Sequence, residues 1–190
     1  MSYDLIFLVE EPSIAIVLNI ILPKIIPDEI SFICIIHQGK QDLVKSIPRK
    51  LKAFEFNPNT KFIIVHDQDS HDCQKLKLEL FNLCQKAGNS DVMVRIICHE
   101  LESWFLGDLL AIEKAYNLEQ NTLSKKQNNQ KFRNPDQLNS AKQELRNLVK
   151  QYYPATHSQK IAIYLSLTEN KSKSFQVFLD GIKKMINFLK

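Results

Sequence analysis

A chain of 190 residues, 44% of them hydrophobic and 24% charged, has material for one substantial core and the balance of an ordinary globular protein. Its net charge of +4 conceals an uneven split. Residues 1–119 carry 12 Lys and Arg against 17 Asp and Glu, a balance of −5, and residues 120–190 carry 13 against 4, a balance of +9.

An acidic half followed by a basic half suits a protein that handles a polyanion with the help of a divalent cation, although lysines that merely solvate helices would give the same totals. The longest early apolar stretch, residues 14–22, is interrupted by Asn19 and closed by Pro23, far short of the roughly 20 residues a spanning helix needs. Asp4 and the Glu10-Glu11 pair leave no room for a basic leader ahead of an apolar signal core. Neither a membrane anchor nor export is expected. Cys34, Cys73, Cys84 and Cys98 form no C-x-x-C pair, and two of them sit inside apolar runs, which fits a reduced cytoplasmic protein.

In chain order, residues 5–9 are a continuous apolar run, as expected of a strand covered on both faces. Pro12 suits the first turn of a helix that carries Ile14, Val17, Leu18 and Ile21 and ends at Pro23. A second strand is expected over 30–36 and a second helix over 41–53, with Pro48 inside it. A third strand, 62–65, leads into Asp67 and Asp69, and a third helix over 72–87 ends at Gly88. Residues 92–98 give a fourth strand and 101–116 a fourth helix. Strand and helix alternating four times with short links predict an open α/β parallel sheet of order 2-1-3-4, whose first and third strands end side by side at the switch point.

Beyond Tyr116 the character changes. Residues 117–133 are polar, without apolar periodicity, and read as an exposed loop. Three helices are then expected, starting at Asn134-Pro135-Asp136 and spanning 157–167 and 174–189. The organisation predicted is an α/β domain over 1–117, a polar loop over 118–134 and a basic helical lobe over 135–190, packed on the same domain.

The acids Glu10, Asp67, Asp69, Glu100 and Glu102 each stand where an apolar run ends. Two aspartates one residue apart in an extended segment point the same way, so Asp67 and Asp69 can share one Mg²⁺ or Mn²⁺, a hard cation that takes oxygen ligands. Glu10 arrives from the neighbouring strand, as a further ligand or a proton-handling group, although an acid there also favours the helix that follows. Either Glu100 or Glu102 can complete the set. A calcium loop starting at Asp67 would need Gly at 72 and Glu at 78, where Asp72 and Leu78 stand. His66, His71 and Cys73 lack the paired spacings of a zinc site. A haloacid-type phosphatase would carry Asp, not Glu, after the first strand. G-x-G-x-x-G, P-loop and G-x-S-x-G patterns are absent from the sequence. Trp104 is read as core.

Glu after the first strand and Asp-x-Asp after the third resembles the Toprim domain of primases, topoisomerases and overcoming-lysogenization-type nucleases. More narrowly, the chain resembles a family of small bacterial Toprim-like proteins of uncharacterised function. The matching segments are Val9-Glu10-Glu11-Pro12-Ser13, Asp67-Gln68-Asp69-Ser70-His71-Asp72-Cys73, the stretch from Cys98 to Asp108, and Asn170-Lys171-Ser172-Lys173-Ser174-Phe175. The resemblance implies Glu10 as general acid/base, Asp67 and Asp69 as metal ligands, and Glu100 or Glu102 as the added acid. It also implies a partner ATPase and a role in mobile-element or phage defence. Glu11 stands where many Toprim domains have Gly, and His99 and Lys171 where the narrower family has Arg.

These readings converge on a metal-dependent, nuclease-like phosphodiester hydrolase acting on nucleic acid, with Lys160, Lys171 and Lys173 as candidate phosphate contacts. The alternatives are a non-catalytic interaction subunit of an ATPase-containing complex, or a phosphatase of small molecules.

Overall fold

Five apolar residues without polar alternation make a stable strand only where both faces are covered, and Leu5–Val9 (β1) is such a strand, buried throughout. The computed structural model describes residues 3–53, 59–89 and 91–189. Phe32–Ile36 (β2) lies on one side of β1 and Lys61–Asp67 (β3) on the other, with Val92–Ile97 (β4) beyond. Every pairing is parallel and the order is β2-β1-β3-β4, the sheet that the alternation of runs predicts. Val9 pairs with Val65 and Asp67 with Ile97, so Glu10 and the aspartates emerge from adjacent strands at one end of the sheet.

Side-chain alternation along β1 divides the interior into two layers. Ile6 and Leu8 face a core shared with Leu43, Ile47 and Leu51 of Lys40–Ala53 (α2) and with Leu76 and Leu80 of Cys73–Lys86 (α3). The i, i+4 spacing of the α2 residues holds that helix against the sheet straight through Pro48. Leu5, Phe7 and Val9 face the larger core, which begins with Pro12–Ile21 (α1) and its 3₁₀ extension Leu22–Lys24.

The single helix expected over 101–116 is two, Glu102–Leu106 (α4) and Leu109–Ala115 (α5). The break has a packing cause. A Cβ on Gly107 would collide with the Asn170 amide and lie 2.7 Å from the Ser172 backbone nitrogen, and Asp108 starts a fresh helix by accepting the Ala111 N–H at 3.0 Å.

The stretch expected as an exposed polar loop is instead pinned to the core by Leu123 and Phe132, both buried. Beside its own backbone hydrogen bonds, two side chains fasten it. The buried Glu113 carboxylate accepts the N–H groups of Asn121, Leu123 and Ser124 at 2.8–2.9 Å, and Gln127 accepts from Leu109 and donates to the carbonyls of Leu106 and Phe132. Composition alone does not show this, because the polar residues act as fasteners.

The helix expected from Asn134 onward shrinks to a 3₁₀ turn, Pro135–Gln137, followed by Ala141–Leu148 (α6). Pro154–Ala162 (α7) and Lys173–Leu189 (α8) complete the chain, α7 starting three residues earlier and ending five earlier than expected. Leu145, Ile161, Phe175 and Phe178 join the same core as Phe7 and Val9. Trp104 is fully buried there, its ring 5.0 Å from that of Phe175 and 5.2 Å from that of Phe178, and its Nε1 donates to Ser174 Oγ at 3.0 Å. The thiol of Cys34 is pushed up to about 12 by burial, as befits a packing residue. Among the described residues no helix is long and apolar enough to cross a membrane.

Candidate active site

The carboxyl ends of β1 and β3 deliver the acids. Asp67 is the last residue of β3 and is buried, and Glu10 follows β1 directly. Glu10 Oε2 accepts the Asp67 N–H at 3.3 Å and lies 3.3 Å from Nδ1 of the buried His66. That same His66 nitrogen hydrogen-bonds the Asp67 carbonyl, so with acceptors on both sides Nδ1 carries the proton. Burial is the main force holding the Glu10 carboxyl above its usual range.

Asp67 concentrates the electrostatics. Its Oδ1 is buried and has no hydrogen-bond partner among the described residues. Burial first, and then the nearby carboxylates of Glu10, Glu11, Glu102 and Asp69, raise its pKa well above the ordinary carboxylate value. A buried oxygen without a partner among the described residues, with four further acids near enough to raise its pKa, is an arrangement that a cation would relieve. Every one of these donors is a hard oxygen, the type that suits Mg²⁺ or Mn²⁺. Among the described residues no three His, Cys, Asp or Glu side chains form a ready-made ion cage.

Asp69 departs from the extended geometry that strand alternation supposes. Its φ is +51°, and its N–H donates to the carbonyl of His99, itself at φ +58°. The strand therefore ends at Asp67, and the Asp69 carboxylate turns to Lys40 at the start of α2, with Nζ 3.0 Å from Oδ2. Gln68 clasps the two loops together, its amide accepting the His99 N–H at 3.2 Å and donating to the His71 carbonyl at 2.8 Å. An open cleft of about 460 Å³ lies above, lined by Asp69, Ser70, His71, His99, Glu100 and Asn139 among others.

The two late acids divide their tasks. The Glu100 carboxylate accepts the backbone N–H of Lys142 at 2.8 Å, in the first turn of α6. Glu102 is buried on the side of Asp67, where its Oε1 accepts the Tyr152 hydroxyl at 2.9 Å and lies 3.8 Å from Lys142 Nζ. Burial raises its pKa, against the pull of Lys142 and Tyr152. Burial also opposes the charge on Lys142, but Glu102, Glu100, Glu11 and Asp67 outweigh it and hold the ammonium above its usual value.

Lys40, Gln68, Lys142 and Tyr152 all escape a reading of the sequence, because each reaches the site through tertiary packing. His66 was legible only as a zinc candidate. Glu11, which stands where a Gly is common, turns its carboxylate onto the Ser13 hydroxyl. Lys160, Lys171 and Lys173 are exposed, and among the described residues their ammonium groups form no ion pair. Lys171 is anchored through its backbone, donating to the Gly107 carbonyl at 2.8 Å.

The fold is similar to that of the C-terminal region of the OLD protein of Xanthomonas campestris pv. campestris, with a TM-score of 0.50 at 15% identity, covering 98% of this chain and 97% of that one. Likeness at this identity speaks for the fold alone. No curated protein matches the chain. The family described as Domain of unknown function (DUF4276) matches residues 9–183, a span that takes in Glu10, both aspartates, Glu100, Glu102 and the start of α8, and the chain belongs to that family.

Proposed function

We propose that the chain is a metal-dependent phosphodiester hydrolase of the Toprim type acting on nucleic acid, with Mg²⁺ or Mn²⁺ held by Asp67 together with Glu10 and Asp69. The observation that carries this reading is the unpartnered, buried Asp67 Oδ1 among four neighbouring carboxylates at the end of a 2-1-3-4 sheet. The fold likeness to the C-terminal region of an OLD protein supports it, as does the Glu and Asp-x-Asp pattern of the sequence.

A bound divalent cation supplies charge stabilisation at the phosphate oxygens and a more acidic water. Glu10, oriented by the Asp67 N–H and by His66, exchanges protons with the attacking water or the leaving oxygen, a role its raised pKa favours. Asp69 would help hold the ion once parted from Lys40, whose ammonium would then be free to meet a phosphate. Glu102, held by Tyr152 and Lys142, is the added acid behind Asp67, and Glu100 positions α6. Lys160, Lys171 and Lys173 are offered as phosphate contacts from the basic half.

The test is cleavage of labelled DNA and RNA in Mg²⁺ or Mn²⁺ by the wild type and by an Asp67→Ala, Asp69→Ala double variant. Loss of at least about a hundredfold in the variant is expected, in line with removal of a metal's charge stabilisation. Equal activity in both proteins would overturn the proposal.

One observation favours a second reading, that of an interaction subunit of an ATPase-containing complex: Lys40 already neutralises Asp69. That reading predicts no carboxylate-dependent heat when Mn²⁺ is titrated into the protein.

A further inference from the structure

The strand β4 pairs with β3 on one side only, which makes it an edge of the sheet. Along its other side runs an open groove of about 640 Å³. Four consecutive residues, Val92, Met93, Val94 and Arg95, line it. Successive strand side chains point to opposite faces, so a groove touching all four lies along the open edge itself, between α3 and α8. Its walls carry Phe81 from α3 and Met185 and Phe188 from α8, the last 86% exposed, together with the cations Lys61, Lys77 and Lys184.

The backbone fixes which groups that edge offers. Ile97 turns its carbonyl inward to the Gln68 N–H, so Ile97, Arg95, Met93 and Asp91 direct their backbone groups toward β3, while Val92, Val94 and Ile96 direct theirs outward. Edge strands of this kind invite a further strand.

The charges on the edge are laid out for a particular partner. Asp91 and Arg95 lie on the same face as Met93, two residues to either side of it. The Asp91 side chain is 72% exposed, held by an ion pair with Lys61. Arg95 has no carboxylate partner among the described residues. Its Nη1 donates to the neighbouring Val94 carbonyl at 3.0 Å, and its buried Nε has no hydrogen-bond partner among the described residues. The helix α8 makes room for it with Gly181, where a Cβ would run into the guanidinium. A mid-helix glycine is less favourable than alanine, and here it admits a half-buried cation that meets no anion among the described residues.

We propose that two copies of this chain associate through antiparallel pairing of β4 with β4 about a two-fold axis at Met93, extending the two sheets into one of eight strands. In this register Val92 meets Val94 of the other copy in hydrogen-bonded pairs built from the outward-facing groups, and Met93 meets Met93. Asp91 of each copy stands opposite Arg95 of the other at non-hydrogen-bonded positions, where opposed side chains come closest. Shifting the axis to Val94 still pairs outward groups with one another, but it sets Arg95 against Met93, with no carboxylate opposite the guanidinium. Of these two registers, both of which satisfy the backbone, the one centred on Met93 also sets each Arg95 opposite a carboxylate, and the exposed Phe188 is covered by the approaching copy. Because the strands run in opposite directions, the two candidate active sites open at opposite ends of the joined sheet.

The test uses the full chain in sedimentation velocity over a range of concentrations. The wild type is expected to dimerise, while Asp91→Lys alone and Arg95→Glu alone each weaken self-association by on the order of tenfold or more, since each sets like charges opposite one another twice per dimer. Mixing the two variants is expected to restore dimerisation, because in the mixed dimer the introduced lysine faces the introduced glutamate while the native Arg95 faces the native Asp91. Met93→Cys, on the axis, is expected to form a disulfide-linked dimer on mild oxidation, and Val94→Cys is not. A wild type that stays monomeric throughout would overturn the proposal and leave the edge to a strand from another protein. A dimer indifferent to both charge variants, with no Met93→Cys cross-link, would overturn it as well.

Discussion

Asp67 shows how one residue can be poorly placed for stability and well placed for chemistry. Its folded-state pKa is raised, by burial first and by Glu10 next, so folding favours the protonated form. The stability this provides is fully present below the unfolded carboxylate pKa of about 4 and is lost as pH rises through the higher folded value. Without divalent metal, Asp67→Asn should therefore be the more stable protein at neutral pH, by roughly 1 kcal/mol, and the two should converge in acid. Urea unfolding at pH 4 and pH 7.5 measures both. A destabilised variant at pH 7.5 would show that the Asp67 charge is already compensated. Lys40→Ala removes an exposed competitor for Asp69 and should tighten Mn²⁺ binding several-fold in calorimetry, with the urea midpoint unchanged. Glu10 and Asp67 were legible in the sequence because strand ends are easy to locate. The turn of Asp69 away from them was not, since a φ of +51° at a non-glycine residue is imposed by the His99 carbonyl from another loop.

Among the elements, α4 and α5 and the segment after them depend on packing that no periodicity displays. Gly107→Ala should destabilise the protein by about 1–3 kcal/mol, because the added methyl meets the Ser172 backbone as well as the Asn170 side chain. Urea unfolding checks this, and a neutral substitution would mean that the α4–α5 break is free to relax. Glu113 can be tested by exchange. Burial opposes its ionisation, but the N–H groups of Ser124, Leu123 and Asn121 prevail and lower its pKa. Its hold on the segment is then present above the unfolded carboxylate value and is lost as pH falls through the lowered folded one. In Glu113→Ala, amide exchange at Asn121, Leu123 and Ser124 should quicken by about tenfold or more. The four strands and first three helices were legible because continuous apolar runs and i, i+4 spacing determine them locally. The pinned segment was not, because the groups that hold it are single side chains lying 5–21 residues from what they bind.

On the scale of the whole molecule, the acids collect at one end of the sheet while the 120–190 half carries the surplus of cations. If that surplus serves a nucleic acid, affinity falls linearly in log–log terms with salt, and a Lys160→Ala, Lys171→Ala, Lys173→Ala variant should lower the slope by about two to three. An unchanged slope would return those lysines to plain solvation. The most direct measurement of the central claim is an anomalous-difference map from crystals of the wild type soaked in Mn²⁺ near pH 7.5. A peak is expected about 2.0–2.3 Å from Asp67 Oδ1, with Glu10 and Asp69 drawn toward it and Lys40 released from Asp69. A map with Lys40 still on Asp69 and no peak beside Asp67 would contradict the claim.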